Sequence, residues 1–330
     1  MNNKKEIKKF QKICYASAKD LKIWAFNELQ IYYNNVVYGD GFIYAKGNDV
    51  LLTAHLDTVH EHKPWRIKVD KVKGGLTKIS SPQGIGGDDR CGVYMIFNIL
   101  ENTDYRPSIL FCEDEEIGGI GSEKFCKSEF IDELKELKFF IELDRANAKD
   151  AVFYHCGNVE FQMFVTEVTN YEEAHGSFSD ISHLSPATDV ASVNISCGYY
   201  KAHTLEEYVM FEEMLASIEA VKRLLNASIK VDSFDYQEEY SFDYGYGYGY
   251  GYGYGYGYKY DGYTSSVSDM YGMEFSYYNK EGKEELDYVD GDSQMECLGA
   301  FLYNHPTLCF DDILDMQAYS WDDDVKEVSI

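Results

Sequence analysis

The most constraining feature of this 330-residue sequence is a rhythm: short apolar runs stop abruptly at polar, chemically capable side chains. Val50–Ala54 runs into His55, Ile109–Cys112 into Glu113–Glu116, and Phe139–Leu143 into Asp144. Runs this short and this apolar suit strands buried on both faces of a sheet. Between them, Val93, Ile96, Phe97 and Leu100 follow Asp88-Asp89 at helical spacing, and a second helical pattern lies near Phe125–Leu137. Strands alternating with helices predict an α/β fold of three layers, with a mixed, mostly parallel central sheet flanked by helices. In such sheets ligands gather beyond the carboxyl ends of the strands, which is where the reactive side chains fall.

The flanks of this unit read less regularly. Ile7, Phe10, Ile13, Cys14, Ala18 and Leu21 predict an amphipathic helix running to about Gln30. Val36–Tyr38, Gly39-Asp40-Gly41 and Phe42–Ala45 predict a hairpin. Tyr208, Phe211, Met214, Leu215, Ile218, Val221 and Leu225 predict a last helix from about Leu205 to Asn226. Residues 1–229 therefore read as one domain, 230–264 as a low-complexity linker and 265–330 as an acidic C-terminal region. Tyr244 to Tyr258 alternates eight tyrosines with seven glycines. Glycine at every second position makes a strand entropically costly there, so the tract reads as loosely structured. Apolar clusters at Met295–Leu302 and Leu308–Met316 mark some order beyond it.

The formal net charge is −27, and residues 230–330 hold 5 Lys or Arg against 22 Asp or Glu. A surface this acidic repels phosphate backbones, which argues against a nucleic-acid partner. The eight cysteines stand singly, without a C-x-x-C pair. That pattern suits reduced thiols in a cytoplasmic protein and argues against zinc held by thiolates. The N-terminus lacks an apolar signal core, and no run approaches the ~20 residues of a membrane helix.

Five pieces carry the chemistry. His55-Leu56-Asp57 ends a strand, and a carboxylate two residues from an imidazole can fix the tautomer of a metal-binding ring. Gly86-Gly87-Asp88-Asp89-Arg90-Cys91-Gly92 is a glycine-flanked acidic turn, where adjacent carboxylates call for a compensating cation, although an acidic helix cap has the same look. Glu113-Asp114-Glu115-Glu116 places four carboxylates after a strand, one to bind metal and a neighbour to handle a proton. Asp144 and His203 complete the set. With two imidazoles, several carboxylates and no thiolate, it suits two zinc, cobalt or manganese ions.

Taken in order, H-x-D, G-G-D-D-R-x-G, E-E-x-G-x-x-G-S, the strand-ending Asp and the late His resemble the co-catalytic zinc peptidases, the superfamily of the M20, M28 and M42 peptidases and related deacylases. The resemblance covers residues 20–228, and Trp65 after the H-x-D turn fits it too. It implies that His55 and Asp144 bind one metal, that Glu116 and His203 bind the other, and that Asp88 bridges them. It further implies that Asp57 orients His55 and that Glu115 is the general base. Only 31 positions separate Asp57 from Asp88 and 59 separate Asp144 from His203. Neither interval holds the dimerisation insert of M42 or M20 enzymes, so the chain reads as a minimal core. An oxyanion-stabilising histidine would then have to come from elsewhere, with His155, His175 and His183 as candidates.

The expected function is a two-metal hydrolase cleaving peptide bonds, an aminopeptidase or small-peptide peptidase. An N-acyl amino acid deacylase would use the same site, with an N-acyl amino acid in place of a peptide. A non-catalytic protein acting through its Tyr/Gly and acidic tail is the reading from a different class. Sequence leaves the oligomeric state open.

Overall fold

The computed structural model describes residues 3–238, 271–278, 283–291 and 313–319. Two compact units divide the chain, Met1–Tyr246 and Gly247–Ile330.

In the first unit, α1 (Asn3–Cys14) and α2 (Ala18–Leu29) occupy the stretch where apolar spacing predicted one helix. A local cap makes the break: the Ser17 hydroxyl accepts the Asp20 N–H at 3.1 Å, starting a new helix. The predicted hairpin follows as β1 (Val36–Tyr38) and β2 (Phe42–Ala45). Next come β3 (Asn48–His55), β4 (Lys68–Lys71), β5 (Thr77–Ser80), α3 (Gly87–Asn102) and β6 (Pro107–Cys112). The helix predicted near Phe125–Leu137 is two short ones, α4 (Ile120–Cys126) and α5 (Ile131–Leu134). Then β7 (Phe139–Arg145), β8 (Asp150–Val152), α6 (Val159–Thr169), β9 (Glu172–Ala174), α7 (Ile181–Thr188) and β10 (Ser192–Ser196) follow. The unit continues through β11 (Tyr199–Tyr200), β12 (Tyr208–Met210) and α8 (Phe211–Ser228). The last helix thus starts at Phe211, not near Leu205, because Tyr208–Met210 is drawn into a strand against β5.

Eight strands form one sheet in the order β1-β2-β6-β3-β7-β10-β8-β9. Its centre, β6-β3-β7-β10, is parallel, and β2 and β8 join it antiparallel. Both faces are covered. Val50, Leu52 and Ala54 of β3 join one core with residues of α1, α2, α3, α6 and α8, while Leu51 joins another with residues of α4, α5 and α7. Burial on both sides is why the strands read as continuous apolar runs. The parallel strands end together at His55, Cys112, Asp144–Arg145 and Ser196. A second sheet, β11-β12-β5-β4, is antiparallel throughout.

Residues 231–238, assigned by composition to the linker, continue the first unit. Phe234 lies among Phe139, Phe161 and Phe164 at centroid distances of 6.2, 5.3 and 5.4 Å. Main-chain bonds from Phe234 N–H to the Lys138 carbonyl and from Ala191 N–H to the Phe234 carbonyl, both 2.9 Å, hold the segment beside β7 and β10.

In the second unit β13 (Tyr271–Tyr278) pairs antiparallel with β14 (Glu284–Gly291) and with β15 (Ile313–Tyr319). The Tyr/Gly tract and the cluster at Met295–Leu302 lie outside the described residues, as does most of Leu308–Met316. No helix among the described residues is long and apolar enough to cross a membrane.

Phe234→Ala is expected to destabilise the first unit by roughly 2 kcal/mol, less than the 3–5 kcal/mol lost at a fully buried Phe because this ring is half-buried. Urea denaturation followed by far-UV circular dichroism measures it, and an unchanged midpoint would contradict the packing described for 231–238.

Candidate metal centre

The seven residues singled out by sequence meet beyond the carboxyl ends of β3, β6 and β7. His55 closes β3 with its side chain fully buried. Its Nε2 lies 2.9 Å from Asp88 Oδ1, 3.4 Å from Asp144 Oδ1 and 4.0 Å from Glu115 Oε2. On the far side of Asp88, His203 Nε2 lies 3.2 Å from Asp88 Oδ2 and 3.1 Å from Glu116 Oε2. Each Asp88 oxygen therefore faces a different imidazole, and each imidazole has a further acid of its own. Asp57 stands behind: its Oδ1 is 3.3 Å from His55 Nδ1, and its two oxygens accept the N–H groups of Glu115 and Glu116 at 3.2 Å each.

Local chain chemistry sets these positions. Asp88 and Asp89 sit at the head of α3 with non-helical backbone angles, and the peptide bond between them is cis. His203 itself lies in the left-handed region at φ 62°, unusual for a non-glycine residue. Gly92 marks where α3 meets β7. A Cβ there would lie 1.9 Å from the Leu143 carbonyl oxygen and 2.6 Å from the Asp89 carboxylate.

Asp89 is also within reach of His55 and Asp144. Its oxygens are already engaged by main-chain donors, the His55 N–H at 3.1 Å and the Gly92 N–H at 2.8 Å. It braces β3 against α3, which leaves Asp88 as the acid facing both imidazoles.

The charges reveal what the cluster lacks. Burial, with the charges of Asp144, Asp180 and Asp88, pushes Glu115 up to about 10 against the pull of His55. Burial and the Asp88 charge push Asp144 up to about 7. Hydrogen bonds to Asp88 and Glu116 raise His203 to about 11. Burial works to lower His55, but the Asp144 charge and its acidic hydrogen-bond partners carry it well above the usual imidazole value. Without cations, then, the site gathers protons. Glu116 Oε1 is buried with no hydrogen-bond partner among the described residues. Mixed imidazole and carboxylate donors, a shared carboxylate and an orphaned buried oxygen all fit divalent ions of the zinc, cobalt or manganese type.

Several participants were not legible in sequence. Glu142, on the same face of β7 as Asp144, and Asp180, before α7, are fully buried, and their carboxyl oxygens have no hydrogen-bond partner among the described residues. Burial and the Asp144 charge hold the Glu142 carboxyl well above the ordinary range. Ser179 donates to Asp144 Oδ2 at 3.1 Å, and Asn194 Oδ1 accepts the Asp144 N–H at 3.0 Å. Of the candidate oxyanion histidines, His155 and His175 are exposed, and His183 is bound through Nδ1 to Ser122 at 3.0 Å. Trp65 is 73% exposed.

Residues 43–189 match the model of peptidase family M28. A protein described as a probable carboxypeptidase from Aspergillus niger is 26% identical over 148 residues, which are 42% of this chain and 34% of the relative. The chain thus spans about a third of the length of that curated relative. Aminopeptidase PepT from Bacillus cereus superposes with a TM-score of 0.56 at 13% identity, over 70% of this chain and 100% of the other. A tripeptidase from Staphylococcus aureus gives 0.55 at 12%, over 70% and 100%. A TET aminopeptidase from a marine-sediment thaumarchaeon gives 0.52 at 12%, over 70% and 98%. At these identities the structural likeness is one of fold.

Gly92→Ala is expected to cost on the order of 3 kcal/mol or to prevent folding, since the methyl meets backbone and a buried carboxylate that cannot yield. Thermal unfolding of metal-free protein checks this, and a melting temperature equal to the wild type would refute the close approach.

Proposed function

We propose that this chain, which belongs to the co-catalytic zinc peptidase superfamily, is a two-metal peptidase that removes residues from the free N-terminus of peptides. The observation that carries this reading is Asp88: its two oxygens face two imidazoles, His55 and His203, each beside its own carboxylate. His55, Asp88 and Asp144 would hold one ion, and His203, Asp88 and Glu116 the other. Bound there, divalent ions supply a Lewis acid that polarises the scissile carbonyl and makes water more acidic.

The chain's own groups do the rest. Asp57 accepts a hydrogen bond from His55 Nδ1–H, leaving Nε2 free to ligate, and its grip on the Glu115 and Glu116 amides fixes the acidic loop beside that ring. Glu115 removes a proton from the attacking water and returns it to the departing amine. Positive charge at the ligands would bring its carboxyl below the value of about 10 imposed by the crowded acids, so that it can serve as a base at neutral pH.

The surroundings favour an amine over a carboxylate as the substrate's free end. Cations near the ligands are committed elsewhere: Arg90 donates to the Leu56 carbonyl at 2.6 Å, Lys22 is paired with Glu113, and Arg145 lies 3.4 Å from Asp150. A deacylase or carboxypeptidase needs a free cation to hold its substrate's carboxylate, whereas an acid-rich setting suits an α-amine. A panel of aminoacyl and N-acyl substrates, each with and without chelator, tests the assignment. Turnover confined to N-acyl substrates would overturn it.

Glu115→Gln is expected to lower kcat by about 10²–10⁴ while metal uptake persists. His203→Ala should take up one ion where the wild type takes two, as read by elemental analysis after reconstitution. Because both imidazoles and the Glu115 carboxyl hold protons in the metal-free site, loading at pH 7 should release roughly two or more protons per chain and affinity should rise with pH. An indicator dye in weakly buffered solution reads the release, and pH-independent binding would contradict it.

A further inference from the structure

One buried carboxylate outside the proposed ligand set ties three ligand-bearing loops together. Glu207 is 1% exposed. Its Oε2 accepts the Gly86 N–H at 2.8 Å and lies 3.0 Å from His60 Nε2, while its Oε1 accepts the Asp88 N–H at 3.0 Å. Three loops meet here: His60 follows Asp57 by three residues, Gly86 and Asp88 flank the turn into α3, and Glu207 follows His203 by four. Two alternate amides converging on one carboxylate form a small anion-holding concavity.

The backbone is cut to fit this arrangement. A Cβ on Gly84 would lie 2.2 Å from the His60 ring, and one on Gly87 would lie 2.8 Å from Tyr199 Cβ and 3.2 Å from Glu207 Oε1. Arg90, buried and close enough to feel the Glu207 charge, balances the anion.

We propose that Glu207 is a positioning residue, assisted by His60, which fixes the main chain of Asp88 so that its carboxylate reaches both cations and holds the His203 loop beside it. Two main-chain amides and an imidazole nitrogen surround the carboxylate, so three donors share its two oxygens. A glutamine in its place keeps the shape but turns one end into a donor, which deprives Asp88, or Gly86 and His60, of an acceptor. Asp88 then loses its set orientation while its ligating oxygens remain chemically intact.

The inference rests on the two-metal reading, and the test separates their failures. Metal-free wild type, Glu207→Gln and His60→Ala are titrated with Zn²⁺ against a chromophoric chelator, and each metal-free form is also melted. Glu207→Gln is expected to bind zinc roughly 10–100-fold more weakly, as losses of groups behind metal ligands commonly do. His60→Ala, which leaves both amides engaged, should show a smaller loss of the same sign. Zinc affinity equal to the wild type in Glu207→Gln overturns the proposal, and a lowered melting temperature alongside that equality would mark the residue as merely structural. If Glu207→Gln does not fold, His60→Ala decides: weakened zinc binding supports the clasp and unchanged binding overturns it. A wild-type chain that takes up no zinc ends the two-metal reading itself.

Discussion

Like-charge crowding is the constraint on which the rest of this structure turns. Asp88, Asp89, Glu115, Asp144 and Glu142 gather where three parallel strands end, and each is buried or nearly so. Carboxylates removed from water cannot all stay ionised together. The fold answers with two imidazoles, with main-chain amides aimed at Asp57, Asp89 and Glu207, and with helices covering both faces of the sheet. What it does not supply is enough fixed positive charge. Arg90 is the guanidinium within the acidic turn, and its hydrogen bonds go to carbonyls. The shortfall is the opening that divalent cations would fill.

The parallel core makes such crowding tolerable. Hydrogen-bonded strands buried on both sides present their carboxyl ends in a row, and the loops leaving them are pinned near those ends. Asp57 accepts two amides from the loop after β6, and Asp89 accepts one from β3 and one from its own helix. These two acids are thus held largely by main-chain hydrogen bonds, whereas Asp88 and Asp144 are held by side chains.

Much of this was readable in sequence, for identifiable reasons. Val50–Ala54, Ile109–Cys112 and Phe139–Leu143 are apolar because they are buried twice over, so their ends, and the imidazole and carboxyl side chains standing there, are sharply marked. Glu142 escaped notice because it lies inside such a run, where a carboxyl contradicts the pattern that identifies the strand. Glu207 was read as part of a helix that in fact begins at Phe211, since Tyr208 continues the apolar stripe by coincidence of spacing. The small antiparallel sheet was invisible: β4 is exposed along its length, so no alternation betrays it. Residues 231–238 looked like linker by composition, yet one aromatic side chain, Phe234, and a few main-chain bonds suffice to attach them. In α1 and α2, a serine hydroxyl at one position overrode an apolar period running through both.

Synthesis order gives the separation between the two imidazoles a meaning of its own. His55 leaves the ribosome 148 residues before His203, and the acids that accompany them emerge in between. A nascent chain thus carries one imidazole of the pair, with Asp88 facing one partner only, until almost the whole first unit has been made. Hydrolytic competence that demands both proposed halves at once would arrive as a late event in the life of the molecule. A growing polypeptide of this kind would not turn on its neighbours, or on itself, before its own fold is closed.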